Sequence, residues 1–362
     1  MRVLHFTDTL RLGGKERQLV ELVKGMSRCD GIACEIATMA RDVGYHDLWK
    51  LGITIHFLPR RSGKDLSVIG KLYTLCKRIK PDIIQTWGSF ASLFAAPVCA
   101  ITGIKFINGT IRKAPERLPL FKEDWVRSRL TFPFSDRIVA NSFAGLRAYA
   151  GPKRRSLCIH NGFNLGRVER LEDPECIKKK FALKTDKIVG MVATFSVHKD
   201  YETFLKAAES ILSKRNDLTF VAVGDGDTRL DLQNRTSPNA KGGIKFVGKQ
   251  ERVESIINVF NIGVLTSYSE GQSNTIMEYM ALGKPVIATR NEGNEELITH
   301  GVHGLLVEPR DWVSVEAAIH RLIEDDVLCK RLGEEAKKRI RTKFGLERMI
   351  SSYKILYESL VG

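Results

Sequence analysis

The sequence lacks the features that would place the chain inside a membrane, outside the cell or around a structural metal. Its longest apolar stretch, residues 89–107, is interrupted by serine, proline, threonine, glycine and lysine, so we expect no membrane span. A leader segment is not expected either, because Met1–Phe6 already has the pattern of a strand. Seven scattered cysteines form no C-x-x-C pair, which argues against disulfide frameworks and zinc knuckles. The cytosol, including the inner face of a membrane, is the expected compartment.

Two common fingerprints are also incomplete. The run Gly224-Asp225-Gly226-Asp227 lacks the third glycine of a dinucleotide-binding loop. Its two aspartates could hold a divalent metal, but a strand before them and a helix after them favour Asp227 as a helix N-cap. No Ser/His/Asp or Cys/His grouping can be assembled from the spacing. We therefore expect no bound metal and no cofactor.

Positive charge is concentrated in the first half of the chain. Of 362 residues, 57 are Lys or Arg and 42 are Asp or Glu, a net charge of +15. Residues 1–165 hold 27 of the former and 13 of the latter, so almost all of the excess lies there. This asymmetry suggests an acidic partner such as an anionic membrane surface or a phosphorylated acceptor. A basic surface that only aids solubility is the alternative, and nucleic acid ranks last because no nucleic-acid-binding motif is present.

Strand-like and helical patterns alternate along the whole chain. Short apolar runs typical of buried parallel strands occur seven times before residue 164 and six times after residue 185. This alternation predicts an α/β protein with two doubly wound, Rossmann-like domains, separated near residues 164–185 and facing across a cleft. Residues 346–360 carry the spacing of a closing amphipathic helix.

The most informative segment is Ser267–Glu278, which is predicted to be a strand-to-helix turn. Ser273 and Asn274 lie where a helix N-cap belongs, so backbone N–H groups and the helix dipole would favour an anion such as phosphate. Glu270 precedes the helix and Glu278 lies inside it. Carboxylates repel phosphate and accept hydrogen bonds from hydroxyl groups, so a ligand that suits both is a nucleotide sugar.

Three other segments have weaker signals. Gly13 and Gly14 stand between a strand and a helix, where they suit either close approach of a ligand or a plain tight turn. Lys199 follows a strand and could neutralise a departing diphosphate, although an exposed loop lysine is the ordinary interpretation. Residues 112–125 mix basic and large apolar side chains, which suits a membrane surface, an acceptor or an ordinary solvated segment.

These residues resemble the family-4 retaining glycosyltransferases, which have the two-domain GT-B fold. The most specific match is Glu270-x7-Glu278 followed by Met280–Thr289, and the resemblance extends over almost the whole chain. Supporting matches are found at residues 13–16, 81–84, 136–140, 160–162, 223–226 and 304–307. The closing helix is similar to the one that crosses back onto the first domain in this family. The resemblance therefore implies an acceptor-side domain of residues 1–164 with helix 345–362, and a nucleotide-sugar-binding domain of residues 165–344.

The resemblance also implies roles for individual residues. Glu278 would bind the ribose hydroxyls of the donor, and Glu270 would hold the transferred sugar. Lys199 would bind the diphosphate as it leaves, in place of a metal. The remaining substrate-binding positions would be Gly13, Gly14, Gln272, Ser273, Asn274 and Thr275.

Two positions depart from the family pattern. The family usually has an arginine where this chain has Thr194, and often a histidine where this chain reads Asn108–Arg112. Thr194 would still face the donor, and Arg112 would supply the missing positive charge to the substrate.

Together these features predict a retaining, metal-independent glycosyltransferase that uses a UDP-, GDP- or ADP-sugar and acts in cell-surface polysaccharide synthesis. Its acceptor would be a glycan or a lipid-linked glycan, with peripheral contact to anionic membrane and none to nucleic acid. A nucleotide-sugar epimerase of the same fold and a non-catalytic nucleotide-sugar-binding protein are the alternatives.

Overall fold

The computed structural model describes residues 1–62, 65–115 and 120–362, and the chain divides into two compact units. Unit 1 contains Met1–Gly162 and Leu346–Gly362, and unit 2 contains Phe163–Gly345.

Unit 1 is built on a seven-stranded parallel sheet with the strand order β3-β2-β1-β4-β5-β6-β7. Its strands are β1 Arg2–Thr7, β2 Ala33–Thr38, β3 Ile55–Phe57, β4 Ile83–Trp87, β5 Lys105–Asn108, β6 Arg137–Ala140 and β7 Ser156–Cys158. The helices between them are α1 Gly14–Met26, α2 Asp47–Lys50, α3 Ser67–Ile79, α4 Ser89–Thr102, α5 Glu123–Thr131 and α6 Phe143–Tyr149, with a 3₁₀ turn at Phe132–Phe134.

Unit 2 repeats the plan with six parallel strands in the order β10-β9-β8-β11-β12-β13. They are β8 Lys187–Val192, β9 Leu218–Val223, β10 Ile244–Gly248, β11 Ile262–Leu265, β12 Val286–Thr289 and β13 Leu305–Val307. The helices are a 3₁₀ turn at Leu165–Val168, α7 Pro174–Lys180, α8 Tyr201–Leu212, α9 Arg229–Arg235, α10 Val253–Asn258, α11 Asn274–Ala281, α12 Glu292–Leu297, α13 Trp312–Glu324 and α14 Asp326–Lys343.

The predicted fold class is therefore confirmed: all thirteen strands are present and parallel, with helical crossovers between most of them. Each strand begins and ends within two residues of the apolar run that predicts it. The edge strand β3 pairs with β2 through Ile36–Ile55, Ala37–His56 and Thr38–Phe57.

The last helix, α15 Leu346–Val361, belongs to unit 1, although 183 residues of unit 2 precede it. Its buried face joins the core that α1 covers, contributing Met349, Ile350, Tyr353, Leu356 and Tyr357. The Tyr357 hydroxyl donates a hydrogen bond to Gln85 on β4. The amphipathic pattern predicted for this segment is therefore the face that completes the core of unit 1.

A buried imidazole lies in the same core. His5 on β1 is fully buried, and its Nδ1 accepts a hydrogen bond from Trp87 Nε1 at 3.2 Å. Its Nε2 has no hydrogen-bond partner among the described residues. Burial lowers the pKa of His5 to about 3, because the imidazolium form would lose its hydration.

Replacing His5 should therefore make the free energy of unfolding depend less on pH in the acid range. Wild-type His5 stays neutral in the folded state while the unfolded chain takes up a proton near pH 6.5, so stability is lost as the pH falls from about 6.5 towards about 3. His5→Leu should remove up to about 1.4 kcal/mol per pH unit from that slope. Urea unfolding measured across this pH range checks the expectation. The control is His46→Gln, which changes an exposed histidine and should keep the wild-type slope of unfolding free energy against pH. Equal slopes in wild type and His5→Leu would contradict the role assigned to His5.

One close contact fixes helix α11 against its sheet. A Cβ added at Gly263 on β11 would lie 2.5 Å from the Tyr279 ring, and Tyr279 is fully buried. The Tyr279 hydroxyl accepts a hydrogen bond from Val192 N at 2.8 Å and donates to Val264 O at 3.2 Å. The ring therefore cannot move aside without breaking bonds to β8 and β11.

Gly263→Ala should lower the free energy of unfolding by about 1–3 kcal/mol, because the methyl group overpacks this contact. Equilibrium unfolding in urea measures the change. Gly242→Ala, in the same unit but with nothing within 4 Å of the added methyl, should stay within about 0.5 kcal/mol of wild type. If Gly263→Ala lowers the free energy of unfolding no more than Gly242→Ala does, the Tyr279 ring moves aside for the methyl group.

Within the described ranges, no helix is both long and apolar enough to cross a membrane. Residues 112–125, for which the sequence leaves a membrane surface, an acceptor and an ordinary solvated segment open, are described except for residues 116–119, which lie outside the described residues.

Candidate active site

The strand order of unit 2 reverses between β8 and β11. These two strands are hydrogen-bonded neighbours, with Ile262 opposite Val189, yet the chain leaves β8 towards one side of the sheet and returns to the other. The loops that follow them, residues 193–200 and 266–273, therefore meet at the carboxyl edge. In open α/β sheets this is the place where ligands bind.

Backbone hydrogen bonds join the two loops. Asp200 N donates to Thr266 O at 3.0 Å, and Tyr268 N donates to His198 O at 3.1 Å. Lys199 and Ser267 form an isolated antiparallel bridge between these bonds. The loops thus behave as one short ribbon, which holds their side chains in a fixed relation.

Lys199 and Glu270 form an ion pair at this junction, with Lys199 Nζ donating to Glu270 Oε1. The Lys199 side chain is 23% exposed and that of Glu270 is 10% exposed, so the lysine retains some access to solvent. Two residues separated by 71 positions in the chain are therefore brought together at the point of reversal. Both had been predicted as catalytic from the sequence.

The start of helix α11 follows immediately. Ser273 is its N-cap, and the Ser273 hydroxyl accepts a hydrogen bond from Ile276 N at 3.4 Å, as the sequence predicted. Asn274 and Thr275 are the first two helical residues, and both are half-buried. Gln272 is buried, and its side-chain amide lies 3.5 Å from the sulfur of Met277. This segment presents its first-turn backbone next to Glu270.

A third loop supports the Glu270 backbone from β12. A Cβ at Gly293 would lie 2.2 Å from the carbonyl oxygens of both Glu270 and Gly271, so only glycine allows α12 to approach this closely. The neighbouring Asn294 is fully buried and donates to Thr289 O at 2.8 Å. The backbone that carries Glu270 is therefore packed on both sides.

Two hydroxyl groups close to the pair lack partners. The Oγ atoms of Ser267 and Ser269 are buried and have no hydrogen-bond partner within the described part of the chain. Buried hydroxyls without partners are uncommon in folded proteins and call for an explanation. A polar ligand at this edge would provide one.

Glu278 lies deeper than Glu270 and is 2% exposed. Arg167, on the 3₁₀ turn at the start of unit 2, donates to its Oε1 at 3.2 Å and also pairs with the buried carboxylate of Glu254 on α10. One guanidinium therefore balances two buried carboxylates. Neither Arg167 nor Glu254 had been singled out from the sequence, since each looks like an ordinary polar residue of a loop or a helix start.

The predicted Thr194 is exposed, two residues beyond the end of β8. Its loop is held by Tyr201, whose ring stacks on Phe195 with centroids 3.8 Å apart and whose hydroxyl accepts from Ala193 N at 3.0 Å. Burial raises the pKa of Tyr201, so this hydroxyl remains a donor to Val223 O. Thr194 is therefore part of a well-fixed loop.

The Asp-x-Asp run of the next loop differs from its prediction. The N-cap of α9 is Thr228 and not Asp227, because the helix begins at Arg229. Asp225 accepts a hydrogen bond from Gly226 N at 2.9 Å and lies 3.6 Å from the guanidinium of Arg229. A backbone turn precedes the helix, in which Arg229 N donates to Gly226 O at 3.2 Å.

The remaining predicted residues lie at the carboxyl edge of the sheet in unit 1. Gly13 is the N-cap of α1 in an extended conformation, and Gly14 is its first residue. Arg112 follows β5; its guanidinium stacks over Trp87 at 4.3 Å, and its Nε donates to Gly109 O at 3.2 Å. These contacts fix Arg112 within unit 1.

Comparison with known proteins gives the class. The family model described as Glycosyl transferases group 1 matches residues 173–339, and the model described as Glycosyltransferase Family 4 matches residues 12–167. The chain belongs to this glycosyltransferase family (group 1, family 4). Its two doubly wound units and its last helix have the GT-B fold.

Individual relatives are distant. An uncharacterized glycosyltransferase of Methanocaldococcus jannaschii is 27% identical over 208 residues, which is 56% of this chain and 53% of that protein, so the chain spans about half of its length. The UDP-Gal:alpha-D-GlcNAc-diphosphoundecaprenol alpha-1,3-galactosyltransferase of Escherichia coli is 25% identical, covering 82% of this chain and 80% of its own. Anabaena HepE, solved with UDP-glucose, superposes with a TM-score of 0.86 at 20% identity, over 99% of this chain and all of that one.

Replacing Arg167 should lower the free energy of unfolding strongly only while Glu254 and Glu278 are both charged. Arg167→Met should lower the free energy of unfolding by about 3–5 kcal/mol, because the buried carboxylates of Glu254 and Glu278 would both lose the guanidinium that pairs with them. In a Glu254→Gln/Glu278→Gln background, the same change should cost about 1 kcal/mol or less. Urea unfolding of the four proteins gives the coupling.

Arg170→Met, which removes an exposed arginine three residues further along the chain, should change little in either background. Additive effects of the Arg167 and glutamate changes would mean that the three side chains are not coupled.

Proposed function

We propose that this protein transfers a sugar from a nucleoside-diphosphate sugar to a glycan or lipid-linked acceptor, with retention of the anomeric configuration. Family membership supports the reaction class, and the Lys199–Glu270 pair at the strand reversal is the observation that carries the proposal to particular residues. The Lys199 ammonium could stabilise a leaving diphosphate, and the Glu270 carboxylate beside it could accept a hydrogen bond from a sugar hydroxyl.

The proposed chemistry relies on positioning and on charge. The departing diphosphate gains negative charge as the glycosidic bond breaks, so a fixed ammonium group stabilises the transition state more than the bound donor. Lys199 would supply that group, together with the first backbone N–H groups of α11. Without a donor, Glu270 keeps Lys199 paired; with a donor, its carboxylate would accept a hydrogen bond from a sugar hydroxyl.

Glu278 would take the ribose hydroxyls of the donor. Its carboxylate is acceptor-only when ionised, which suits a diol, and Arg167 keeps one of its oxygens in place. Contacts with the phosphates or the sugar would be made by residues on the two joined loops and the first turn of α11, namely Thr194, Gln272, Ser273, Asn274 and Thr275. This arrangement needs no divalent ion, and we propose that the enzyme works without one.

Relatives support the choice of substrates. The E. coli relative is named for UDP-Gal as its donor and for a diphosphoundecaprenol-linked sugar as its acceptor, and HepE was solved with UDP-glucose. We accordingly propose a UDP-sugar as the first donor to test and assembly of a cell-surface polysaccharide as the process. Gly13, Gly14 and Arg112 remain predicted substrate contacts of unit 1.

Lys199→Met and Glu270→Gln should each slow sugar transfer by about 10²–10³, because each removes one charged contact with the reacting groups. Release of the nucleoside diphosphate in the presence of a lipid-linked acceptor measures the rate, and circular dichroism checks that the fold is intact. Lys184→Met, which changes an exposed lysine of the same unit, should retain wild-type turnover.

Wild-type turnover in Lys199→Met or Glu270→Gln would remove that residue from the site. Donor binding without transfer to any acceptor would favour the binding protein, and isomerised donor formed without acceptor would favour the epimerase. Thermal unfolding with UDP-, GDP- and ADP-sugars identifies the donor, since saturation at 100 times the dissociation constant adds about 2.7 kcal/mol of stability.

A further inference from the structure

Unit 1 contains a cavity of about 500 Å³ that is lined by none of the predicted site residues. Phe132, Pro133 and Pro152 form its apolar wall, and Arg129, Lys153, Arg154 and Arg155 are its basic lining. The 3₁₀ turn 132–134 precedes β6, and loop 150–155 precedes β7, so the cavity opens at the amino-terminal edge of the sheet. Gly13 and Gly14 lie at the opposite edge.

None of these four basic residues forms an ion pair with a carboxylate within the described ranges. The Arg155 guanidinium donates to the carbonyl oxygens of Pro133 and Ser135, at 3.0 and 3.3 Å. Arg129 lies over the Trp125 ring at 5.6 Å. By contrast, the acidic residues at the start of α5 are paired, Glu123 with Arg127 and Asp124 with Lys113. Among the described residues, no carboxylate therefore compensates the positive charge around the cavity.

An apolar stripe lies beside the cavity. Val126, Leu130 and Phe134 follow one another at four-residue spacing along α5 and the 3₁₀ turn, and all three are exposed. Leu130 and Phe134 are each 55% exposed, and with Val126 they form an apolar patch on one face instead of isolated exposed residues. The half-buried Trp125, between apolar and charged groups, has the character of a residue at a membrane interface.

We propose that this surface, made of Val126, Leu130 and Phe134 with the basic cavity beside them, docks onto a bilayer of anionic phospholipid. The stripe enters the interface between headgroups and acyl chains, and the cavity takes a headgroup phosphate. Charge complementarity identifies an anionic partner, and the exposed leucine and phenylalanine select a bilayer over a soluble polyanion, which offers no apolar phase.

The surface extends along α5, whose first residues lie near the carboxyl edge of the sheet through the Ser89–Asp124 hydrogen bond at 3.2 Å. A protein held on a membrane by α5 would be confined to the plane in which a lipid-linked acceptor moves. Docking itself does not require the transfer reaction, so the two proposals can fail separately.

Binding of the full-length protein to vesicles tests the proposal. Vesicles of equal parts phosphatidylglycerol and phosphatidylcholine should bind the protein at low salt, and pure phosphatidylcholine vesicles should bind it far more weakly. Arg129→Gln/Lys153→Gln/Arg154→Gln should lower the partition coefficient by about 100-fold, or roughly 5-fold for each charge lost. Leu130→Gln/Phe134→Gln should lower it by about 10-fold.

The matched control is Arg28→Gln/Lys50→Gln/Arg78→Gln, which removes three exposed charges of unit 1 that do not line the cavity. This variant should bind anionic vesicles within about 5-fold of wild type. Each variant should keep the stabilisation of wild type by the donor, which separates loss of docking from loss of folding or of the transfer site. An equal loss in the control, or no effect of the leucine and phenylalanine changes, would overturn the proposal. Tighter binding to single-stranded RNA than to anionic vesicles would also overturn it.

Discussion

In a parallel sheet every strand ends at the same edge, and the reversal of strand order between β8 and β11 decides which loops meet there. This constraint brings Lys199 and Glu270 together, although 71 positions separate them in the chain. The backbone ribbon between their loops, the packing of Gly293 and the stacking of Tyr201 on Phe195 all act on this one junction. Without the reversal, the loops that carry Lys199 and Glu270 would not meet.

The fold was predictable because its signals are local. A buried parallel strand is a short apolar run, a crossover helix is an amphipathic one, and their alternation leaves few topologies open. What local patterns left uncertain was where elements end. Strand β3 at the sheet edge is only three residues long, and α9 begins one residue later than expected, after a turn in which Arg229 N donates to Gly226 O.

The candidate site was predictable to the extent that its residues lie next to a strand end or a helix start. Glu270 and Ser273 are examples, and the hydroxyl of Ser273 does cap α11. Arg167 and Glu254 had no such signal, because their meaning comes from a contact with Glu278, which is 111 residues from Arg167. Long-range charge compensation has no periodicity, so it is visible only once the chain is folded.

The position of α15 has a consequence for synthesis on the ribosome. Unit 2 is one continuous stretch of chain and can bury its core as soon as it has emerged. Unit 1 begins earlier but is completed later, because Tyr353 and Tyr357, which join the core that β1 and α1 share, follow unit 2 in the chain. The apolar face that α15 covers in unit 1 therefore stays exposed on the nascent chain until unit 2 has been made.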